Sequence, residues 1–428
     1  MEVSSVNFLK GEVNIPGDKS ISHRAAIISA LTKDKVSIKN FLFSQDCINT
    51  LNILNSLGVK TERINDILIV NGIGLEKFIE PDDILYVGNS GTTIRLMSGL
   101  LSAAKMTAVL SGDKSINNRP MARIIEPLTQ MGARIFGREN NSKAPIIILP
   151  SDKLIGKSFN IAISSAQVKS CLIFAGLFAE GETEIIQPQV SRDHTERLLE
   201  YFGAEISYDG KKTKILPSAK LVGKNLFIPG DLSSAVFFII ATLIVPNSHI
   251  VIKNIGINPT RSKIIEILKN MGAKIEIKNE KNINNEPIAD LECFTSSLNA
   301  IKIESSIIPN IIDEIPAFCV AAAFSEGETV IEGAIELRHK ESDRINSIYT
   351  EFKKAGVKIT QKDDGLIIEG NKNFKAKGGF YESYNDHRIA MSLAILGLRS
   401  VETFRILNSE CIATSFPNFI YELKKIAN

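Results

Sequence analysis

The sequence predicts an α/β fold made of a repeated unit, arranged as two similar halves of three units each. Three observations carry this. A helix that ends in Gly and runs into a strand recurs at Leu57-Gly58-Val59-Lys60, Met131-Gly132-Ala133-Arg134, Phe202-Gly203-Ala204-Glu205, Met271-Gly272-Ala273-Lys274 and Ala355-Gly356-Val357-Lys358. The period is about 70 residues, with the Gly as helix C-cap before the next strand. Ile15-Pro16-Gly17-Asp18 returns half a chain later as Ile228-Pro229-Gly230-Asp231. The 428 residues leave room for a sixth unit, and no Gly/Ser linker separates the halves. The expected division is residues 19–230 against 1–18 plus 231–428, with two crossings that act as hinges near 15–19 and 228–232.

Composition narrows the function. With 44% hydrophobic residues the chain can bury sizeable cores. A net charge of +2 with Lys spread evenly argues against nucleic acid as the partner. No apolar run approaches the ~18 to 20 residues of a membrane span, and the polar, acidic start predicts a cytoplasmic protein. The five cysteines are far apart and without a Cys-x-x-Cys pair, so they read as core thiols. The histidines lack metal-ligand spacing; His194, His339 and His387 lie beside charged residues and suit hydrogen-bonding roles. No metal is expected.

The Asn14 to Leu31 stretch reads as a strand end, a Pro-Gly turn and a helix apolar on nearly all sides, which must be buried. Its first turn carries Lys19, Ser20, Ser22 and Arg24, where unpaired NH groups and the helix dipole favour an anion. The second copy is a control. Leu232 stands where Lys19 does and Phe237 where Arg24 does, so the shared Pro-Gly-Asp reads as architecture and the two cations as chemistry.

Further helix starts follow. Val87-Gly88-Asn89-Ser90-Gly91-Thr92 is a Gly-rich turn into a helix capped near Thr92, and Gly88 and Gly91 serve either the turn or a bound anion. Asn71-Gly-Ile-Gly74 lacks the third Gly of a dinucleotide fingerprint. Arg119 precedes Pro120, expected at the first position of a helix whose Met121, Ile124, Ile125, Leu128 and Met131 face one way. Ser164, Ser165 and Gln167 open a third helix and suit a phosphate ester or polyol. Arg192 precedes a fourth, capped by Asp193 or Thr195. In a Lys-rich chain, Arg95, Arg119, Arg192, Arg344 and Arg388 at such junctions point to bidentate capture of carboxylate or phosphate. The second half adds acids among cations: Asp313-Glu314 before the helix Ala317 to Phe324, Lys340-Glu341-Ser342-Asp343-Arg344, and Asn385-Asp386-His387-Arg388.

Taken together, Gly-Asp-Lys-Ser with Arg24, Gly-Asn-Ser-Gly-Thr-Thr-Ile-Arg, Asn-Arg-Pro-Met, Ser-Ala-Gln-Val-Lys, Arg-Asp-His-Thr-Glu, Asp-Glu-Ile-Pro, Lys-Glu-Ser-Asp-Arg and Asn-Asp-His-Arg resemble the 5-enolpyruvylshikimate-3-phosphate synthase family, in order along the whole chain. The resemblance implies two domains of three βαβαββ units, the inside-out α/β barrel of enolpyruvyl transferases. The amino-terminal segment would pack into the carboxy-terminal domain. It implies transfer of enolpyruvyl from phosphoenolpyruvate to shikimate 3-phosphate, without a cofactor, by a monomer. The alternatives are the sister transferase acting on UDP-N-acetylglucosamine and a non-catalytic phosphate-binding scaffold.

By the same resemblance, Lys19, Ser20, Arg24, Ser164, Ser165, Gln167, Arg192, Asp313 and Lys340 hold shikimate 3-phosphate. Lys19, Gly91, Arg119, Gln167, Arg344 and Arg388 hold phosphoenolpyruvate. Asp313, Glu341 and Lys19 are the catalytic set. Thr414 stands where one branch of the family has a Lys at the phosphate site. Ser-Ala-Gln, Arg-Asp-His-Thr-Glu and Asn258-Pro-Thr-Arg261 resemble the glyphosate-tolerant branch, whereas Gly91 is the small residue of the sensitive one. Because the residues divide between the halves, shikimate 3-phosphate is expected to close the protein by hinging near Gly17 and Gly230.

Overall fold

In the computed structural model, which describes residues 1–428 apart from 218 and 219, the five repeat glycines all take a left-handed backbone. Their φ is +90° at Gly58, +101° at Gly132, +91° at Gly203, +98° at Gly272 and +93° at Gly356. Only Gly adopts this conformation without a Cβ penalty, so each one ends its helix and turns the chain into a strand. The helices so ended are Gln45–Ser56, Ala122–Gln130, His194–Tyr201, Lys263–Asn270 and Arg344–Lys354.

The chain forms two units, each with its own hydrophobic core. One comprises Gly17–Ile228 with Ile283–Glu286, and the other Met1–Pro16, Pro229–Asn282 and Pro287–Asn428. The repeat pattern predicts two crossings; the structure has two more, on either side of Ile283–Glu286. This segment is the tip of a long hairpin, Lys274–Ile283 with Glu286–Phe294. Its Glu286 is buried against His194 Nδ1 at 2.7 Å, and the Asn285 carbonyl accepts from Arg197 Nη1 at 2.9 Å. A hairpin two residues longer or shorter would have the same periodicity, so nothing in the pattern marks its tip.

Within the Gly17–Ile228 unit, three four-stranded sheets share one plan: a parallel pair, then two antiparallel neighbours. Their orders are Leu226–Phe227, Lys35–Lys39, Ile67–Asn71, Lys60–Ile64; Leu85–Tyr86, Ala108–Ser111, Lys143–Leu149, Arg134–Gly137; and Ser158–Asn160, Thr183–Ile186, Lys212–Ile215, Ile206–Tyr208. The second and third read βαβαββ in sequence. The first borrows its parallel edge strand, Leu226–Phe227, from the end of the unit, which closes the set. The other unit follows suit, its Lys10–Val13 strand pairing in parallel with His249–Gly256. Its last repeat is short. After Gly379–Glu382, the helix His387–Gly397 and Phe404–Leu407, the helix Phe419–Ile426 replaces the final hairpin, and Glu2–Val3 supplies the antiparallel strand.

The helices that lead from parallel edge strands are the inner ones. Leu232–Ile244 is buried at all its positions and Lys19–Leu31 from Ile21 onward. Each large apolar side chain so buried contributes about 1.5–3 kcal/mol. Phe238 sits edge-on to Phe419 with ring centroids 5.4 Å apart. The shared Ile-Pro-Gly-Asp frame is architectural in both copies. Asp18 caps its helix by accepting from Ile21 N at 2.9 Å, and Asp231 caps the other by accepting from Ser233 N at 2.8 Å. A Cβ on Gly17 would lie 1.9 Å from the Asn40 carbonyl oxygen.

Several helix starts differ from expectation by a residue or two. Ser90, not Thr92, caps Gly91–Ser102, accepting from Thr93 N at 3.1 Å. Ala122–Gln130 begins past Pro120, because Arg119 and Pro120 follow a tight turn at Ile116–Asn118; its five expected apolar residues are buried. The helix after Asp313 spans Ile315–Ala323. Asp193 precedes His194–Tyr201 but pairs with Arg197 Nε at 2.9 Å rather than capping through its side chain.

Candidate active site

In the Gly17–Ile228 unit three helix starts gather the expected residues. At the first, Lys19 Nζ lies 3.0 Å from Asp46 Oδ2 of the neighbouring helix. Arg24 is buried, with Nε on Thr195 Oγ1 at 2.6 Å, Nη2 on Ser170 Oγ at 2.8 Å and Nη1 on the Ser20 carbonyl at 2.9 Å. One guanidinium thus ties the helix Lys19–Leu31 to Ala166–Gly176 and His194–Tyr201, which fixes its planar fork. Below it, Lys169 and Glu196 form an ion pair at 2.6 Å, each side chain 1% exposed, and Lys169 also reaches the Ser191 carbonyl at 3.4 Å. That contact anchors the segment leading into half-buried Arg192.

The second start brings Gly91, Arg95, Arg119 and Gln167 together. Arg95 Nη1 donates to Gln167 Oε1, Gln167 Nε2 donates to Thr92 Oγ1 at 3.0 Å, and Arg119 Nη2 donates to Asn89 Oδ1 at 3.1 Å. A Cβ on Gly91 would lie 2.9 Å from Arg95 Nη1 and 3.1 Å from Arg119 Nη1. The two glycines of this loop therefore do different things. Gly88, at φ +61°, makes the turn, while Gly91 lets two guanidinium groups approach the helix start, where NH groups and dipole favour an anion.

At the third start the serines also separate. Ser165 caps Ala166–Gly176, accepting from Val168 N at 3.4 Å. Ser164 Oγ donates to the Gln189 carbonyl at 2.7 Å and accepts from Gln189 N at 2.8 Å.

In the other unit Asp313, Lys340, Glu341, Arg344 and Arg388 form one network. Arg344, 1% exposed, directs Nε to Asp386 Oδ2 at 2.8 Å, Nη2 to Glu341 Oε2 at 2.6 Å and Nη1 to Asp313 Oδ1 at 3.5 Å. Lys340 Nζ is 3.4 Å from the same Asp313 oxygen, and Arg388 Nη1 donates to the Asp313 carbonyl at 2.7 Å. Burial alone would lower the Arg344 pKa, but the carboxylates of Asp386 and Glu341 outweigh it and hold the guanidinium more firmly charged than usual. Local order comes from caps. Asp343 accepts from Asn346 N at 3.1 Å, and Asp386 from Arg388 N at 2.9 Å, which places Arg344 and Arg388 in the first turns of their helices. Thr414 donates to the Cys411 carbonyl at 2.8 Å within its own turn.

The second copy of the Pro-Gly-Asp frame is filled from within. Arg261 Nη2 lies 2.7 Å from both Asp231 Oδ1 and Ser233 Oγ, and Ser233 Oγ donates to the buried Glu314 carboxylate. An internal carboxylate thus sits at this helix start, which accounts for neutral Leu232 in place of a Lys.

Three participants escaped the sequence reading: Asp46 beside Lys19, Thr195 under Arg24, and Asp386 as the buried counter-ion of Arg344. Asp386 stood in a motif that was read for its Arg, but Asp46 has no local signal at all. The arrangement offers anion sites at helix starts in one unit, and in the other two partly exposed carboxylates, Asp313 and Glu341, held by one buried guanidinium. Such groups suit proton transfer to and from an anionic substrate.

A family profile described as EPSP synthase (3-phosphoshikimate 1-carboxyvinyltransferase) matches residues 3–423. A 3-phosphoshikimate 1-carboxyvinyltransferase of Petrotoga mobilis is 50% identical over 428 residues, covering 100% of this chain and 99% of the relative. One of Carboxydothermus hydrogenoformans is 49% identical over 418 residues, covering 98% and 97%. Among solved structures, an EPSP synthase from Acinetobacter baumannii superposes with a TM-score of 0.89 at 40% identity, covering 100% of this chain and 98% of that one. No helix among the described residues is long and apolar enough to cross a membrane.

Proposed function

The chain belongs to the EPSP synthase family, and from that premise we propose how its own residues carry out the reaction. It transfers the enolpyruvyl group of phosphoenolpyruvate to the 5-hydroxyl of shikimate 3-phosphate and releases phosphate, a step of aromatic amino acid biosynthesis. Shikimate 3-phosphate is held by Lys19, Ser20, Arg24, Ser164, Ser165, Gln167, Arg192, Asp313 and Lys340. Phosphoenolpyruvate is held by Lys19, Gly91, Arg119, Gln167, Arg344 and Arg388. Residues 19–230 supply the phosphate cradle and 1–18 with 231–428 the acid and base, with hinges near 15–19 and 228–232. The protein works as a cytoplasmic monomer on these small molecules.

The observation that supports this reading best is the single network of Asp313, Glu341 and Arg344. Asp313 takes the proton of the attacking 5-hydroxyl as its oxygen bonds to the carbon bearing phosphate. Glu341 delivers a proton to the methylene carbon, so a tetrahedral adduct forms. Glu341 then takes a proton back from the resulting methyl group while the carbon–oxygen bond to phosphate breaks, which restores the double bond, and the departing phosphate takes up the proton that Asp313 held. Lys19 accompanies both substrates as the cation of the catalytic set.

A phosphate-release assay tests the proposal. Release is expected with phosphoenolpyruvate plus shikimate 3-phosphate and not with phosphoenolpyruvate plus UDP-N-acetylglucosamine. Release with the latter alone would overturn the substrate assignment.

A further inference from the structure

Beneath the helix starts of the Gly17–Ile228 unit runs a chain of four buried side chains that the reaction scheme does not use. His23 Nδ1 is 2.8 Å from Thr50 Oγ1, Thr50 Oγ1 is 2.8 Å from Thr93 Oγ1, and Thr93 Oγ1 donates to Ser90 Oγ at 2.8 Å. His23, Thr50 and Thr93 are 0% exposed and Ser90 2%. The chain links the helix bearing Lys19 and Arg24, through Gln45–Ser56, to the start of the helix bearing Gly91 and Arg95.

Its polarity follows from counting protons. A hydroxyl has one hydrogen to give and two lone pairs to receive with. Thr93 gives its hydrogen to Ser90, so the hydrogen of the 2.8 Å contact with Thr50 comes from Thr50, whose longer alternative acceptor is the Asp46 carbonyl at 3.5 Å; with either acceptor the Thr50 hydrogen is not available to His23. Thr50 has then spent its own, so His23 must donate from Nδ1. That fixes the tautomer: the ring proton is on Nδ1 and Nε2 carries a lone pair, which has no partner among the described residues. Burial, with Lys19 and Arg24 nearby, drives the His23 pKa well below its usual value, so the ring stays neutral and the polarity does not invert near neutral pH.

At the far end, Ser90 Oγ receives from Thr93 Oγ1 at 2.8 Å and from Thr93 N at 3.1 Å. Both lone pairs are taken and the Ser90 hydroxyl is left as a donor only. A donor-only hydroxyl adjoins Gly91, at the helix start already approached by the Arg95 and Arg119 guanidinium groups. All these partners favour an anion there.

We infer that His23 is a positioning residue for the enolpyruvyl donor: through Thr50 and Thr93 it sets the Ser90 hydroxyl as a donor and holds the Gly91 helix start in register with the helix of Lys19 and Arg24. The inference rests on the reading that Gly91 and Arg119 hold phosphoenolpyruvate. It requires a donor at the His23 Nδ1 position and does not require an imidazole. Asn places its amide NH2 near Nδ1, whereas Gln reaches the Nε2 position.

The test combines 15N NMR of histidine-labelled wild-type protein, with the His23 signal assigned by its loss in His23→Asn, and steady-state kinetics on both substrates. The wild-type ring should carry its proton on Nδ1. Loss of one hydrogen bond at about 1.4 kcal/mol is tenfold. His23→Gln and Thr50→Val should therefore raise the KM for phosphoenolpyruvate about tenfold, and leave that for shikimate 3-phosphate within about twofold. His23→Asn should restore the phosphoenolpyruvate KM to within about twofold of wild type. A ring proton on Nε2, or an unchanged phosphoenolpyruvate KM in folded Thr50→Val, would overturn the relay. Arg119→Ala separates the two levels. If it raises the phosphoenolpyruvate KM while Thr50→Val does not, only the relay fails; if it too leaves that KM unchanged, the site reading fails and takes the role of His23 with it.

Discussion

Arg344 Nη2 donates to Glu341 Oε2 at 2.6 Å across one turn of chain, while the same guanidinium reaches Asp313 Oδ1 at 3.5 Å from Nη1. The two carboxylates proposed as acid and base are therefore held by one buried cation, whose third partner, Asp386, is 0% exposed. Their separation is set by the rigid planar fork of Arg rather than by flexible side chains. This relationship makes Glu341 the sharpest place to test the mechanism. Glu341→Gln keeps a hydrogen-bond acceptor for Arg344 but removes the acid. Turnover should fall by about 10²–10⁴-fold, the usual worth of a positioned acid or base. Shikimate 3-phosphate affinity, measured by calorimetry, should stay within about twofold. Wild-type turnover would sink the assignment.

Asp386 tests what holds that fork. Asp386→Ala removes the buried counter-ion of Arg344 Nε and also the cap of His387–Gly397. Removing one partner of a buried ion pair costs about 3–5 kcal/mol, an upper bound here because Arg344 keeps Glu341 and Asp313. Urea unfolding should show a loss of that order, and Asp386→Asn, which can still cap, should lose less. A loss below about 1 kcal/mol for Asp386→Ala would mean that Arg344 does not depend on it.

Lys19 should separate binding from folding. Its pair with Asp46 is partly exposed, with side chains 17% and 12% accessible, and the equivalent frame folds around Leu232. Lys19→Met is expected to lower stability by about 1–3 kcal/mol, because it takes this cation from the mostly buried Asp46, without preventing folding. Affinity for both substrates should fall. A collapse of the melting temperature instead would make Lys19 structural.

Gly91→Ala puts a methyl group 2.9 Å from Arg95 Nη1 and 3.1 Å from Arg119 Nη1, at a residue whose backbone tolerates a side chain. The guanidinium groups must give way by tenths of an ångström. The KM for phosphoenolpyruvate should rise by about tenfold, equivalent to about 1.4 kcal/mol, with stability unchanged. An unaltered KM would show that neither Arg95 nor Arg119 needs its present approach to the helix start.

His23 gives a pH signature of its own. Its folded pKa is driven far below the usual value by burial, then by Lys19 and Arg24. The unfolded chain therefore binds a proton below pH ~6.5 that the folded chain refuses. Stability from this group is fully present above that pH and falls as pH drops, by about 1.4 kcal/mol per unit until the folded pKa is reached. His23→Asn does not titrate. The stability difference between wild type and His23→Asn, measured by urea unfolding, should therefore shift steadily against wild type as pH falls from 7 to 5. A constant difference would show that the folded chain protonates His23 as readily as the unfolded chain does.

What the sequence determined by itself is whatever is written locally. The five repeat glycines announced left-handed C-caps, because no other residue takes that backbone cheaply. Pro-Gly-Asp announced two equivalent helix starts, and the contrast of Lys19 with Leu232 marked the first of them as the candidate anion site. Motifs ending in Arg344 and Arg388 pointed to one half as the place where acids and cations meet, since residue type and a helix start suffice for that. Only the tertiary structure decided partnerships between distant segments. It set Asp46 on Lys19, Thr195 and Ser170 on Arg24, Asp386 under Arg344, Glu286 against His194, and the line from His23 to Ser90. It also decided that Gly91 is small for the sake of two guanidinium groups while Gly88 is there for the turn. The reason is physical: capping and backbone conformation are decided within a few residues along the chain. The partner of a buried polar group, by contrast, is whichever side chain the packed helices bring within about 3 Å, and periodicity carries no record of that.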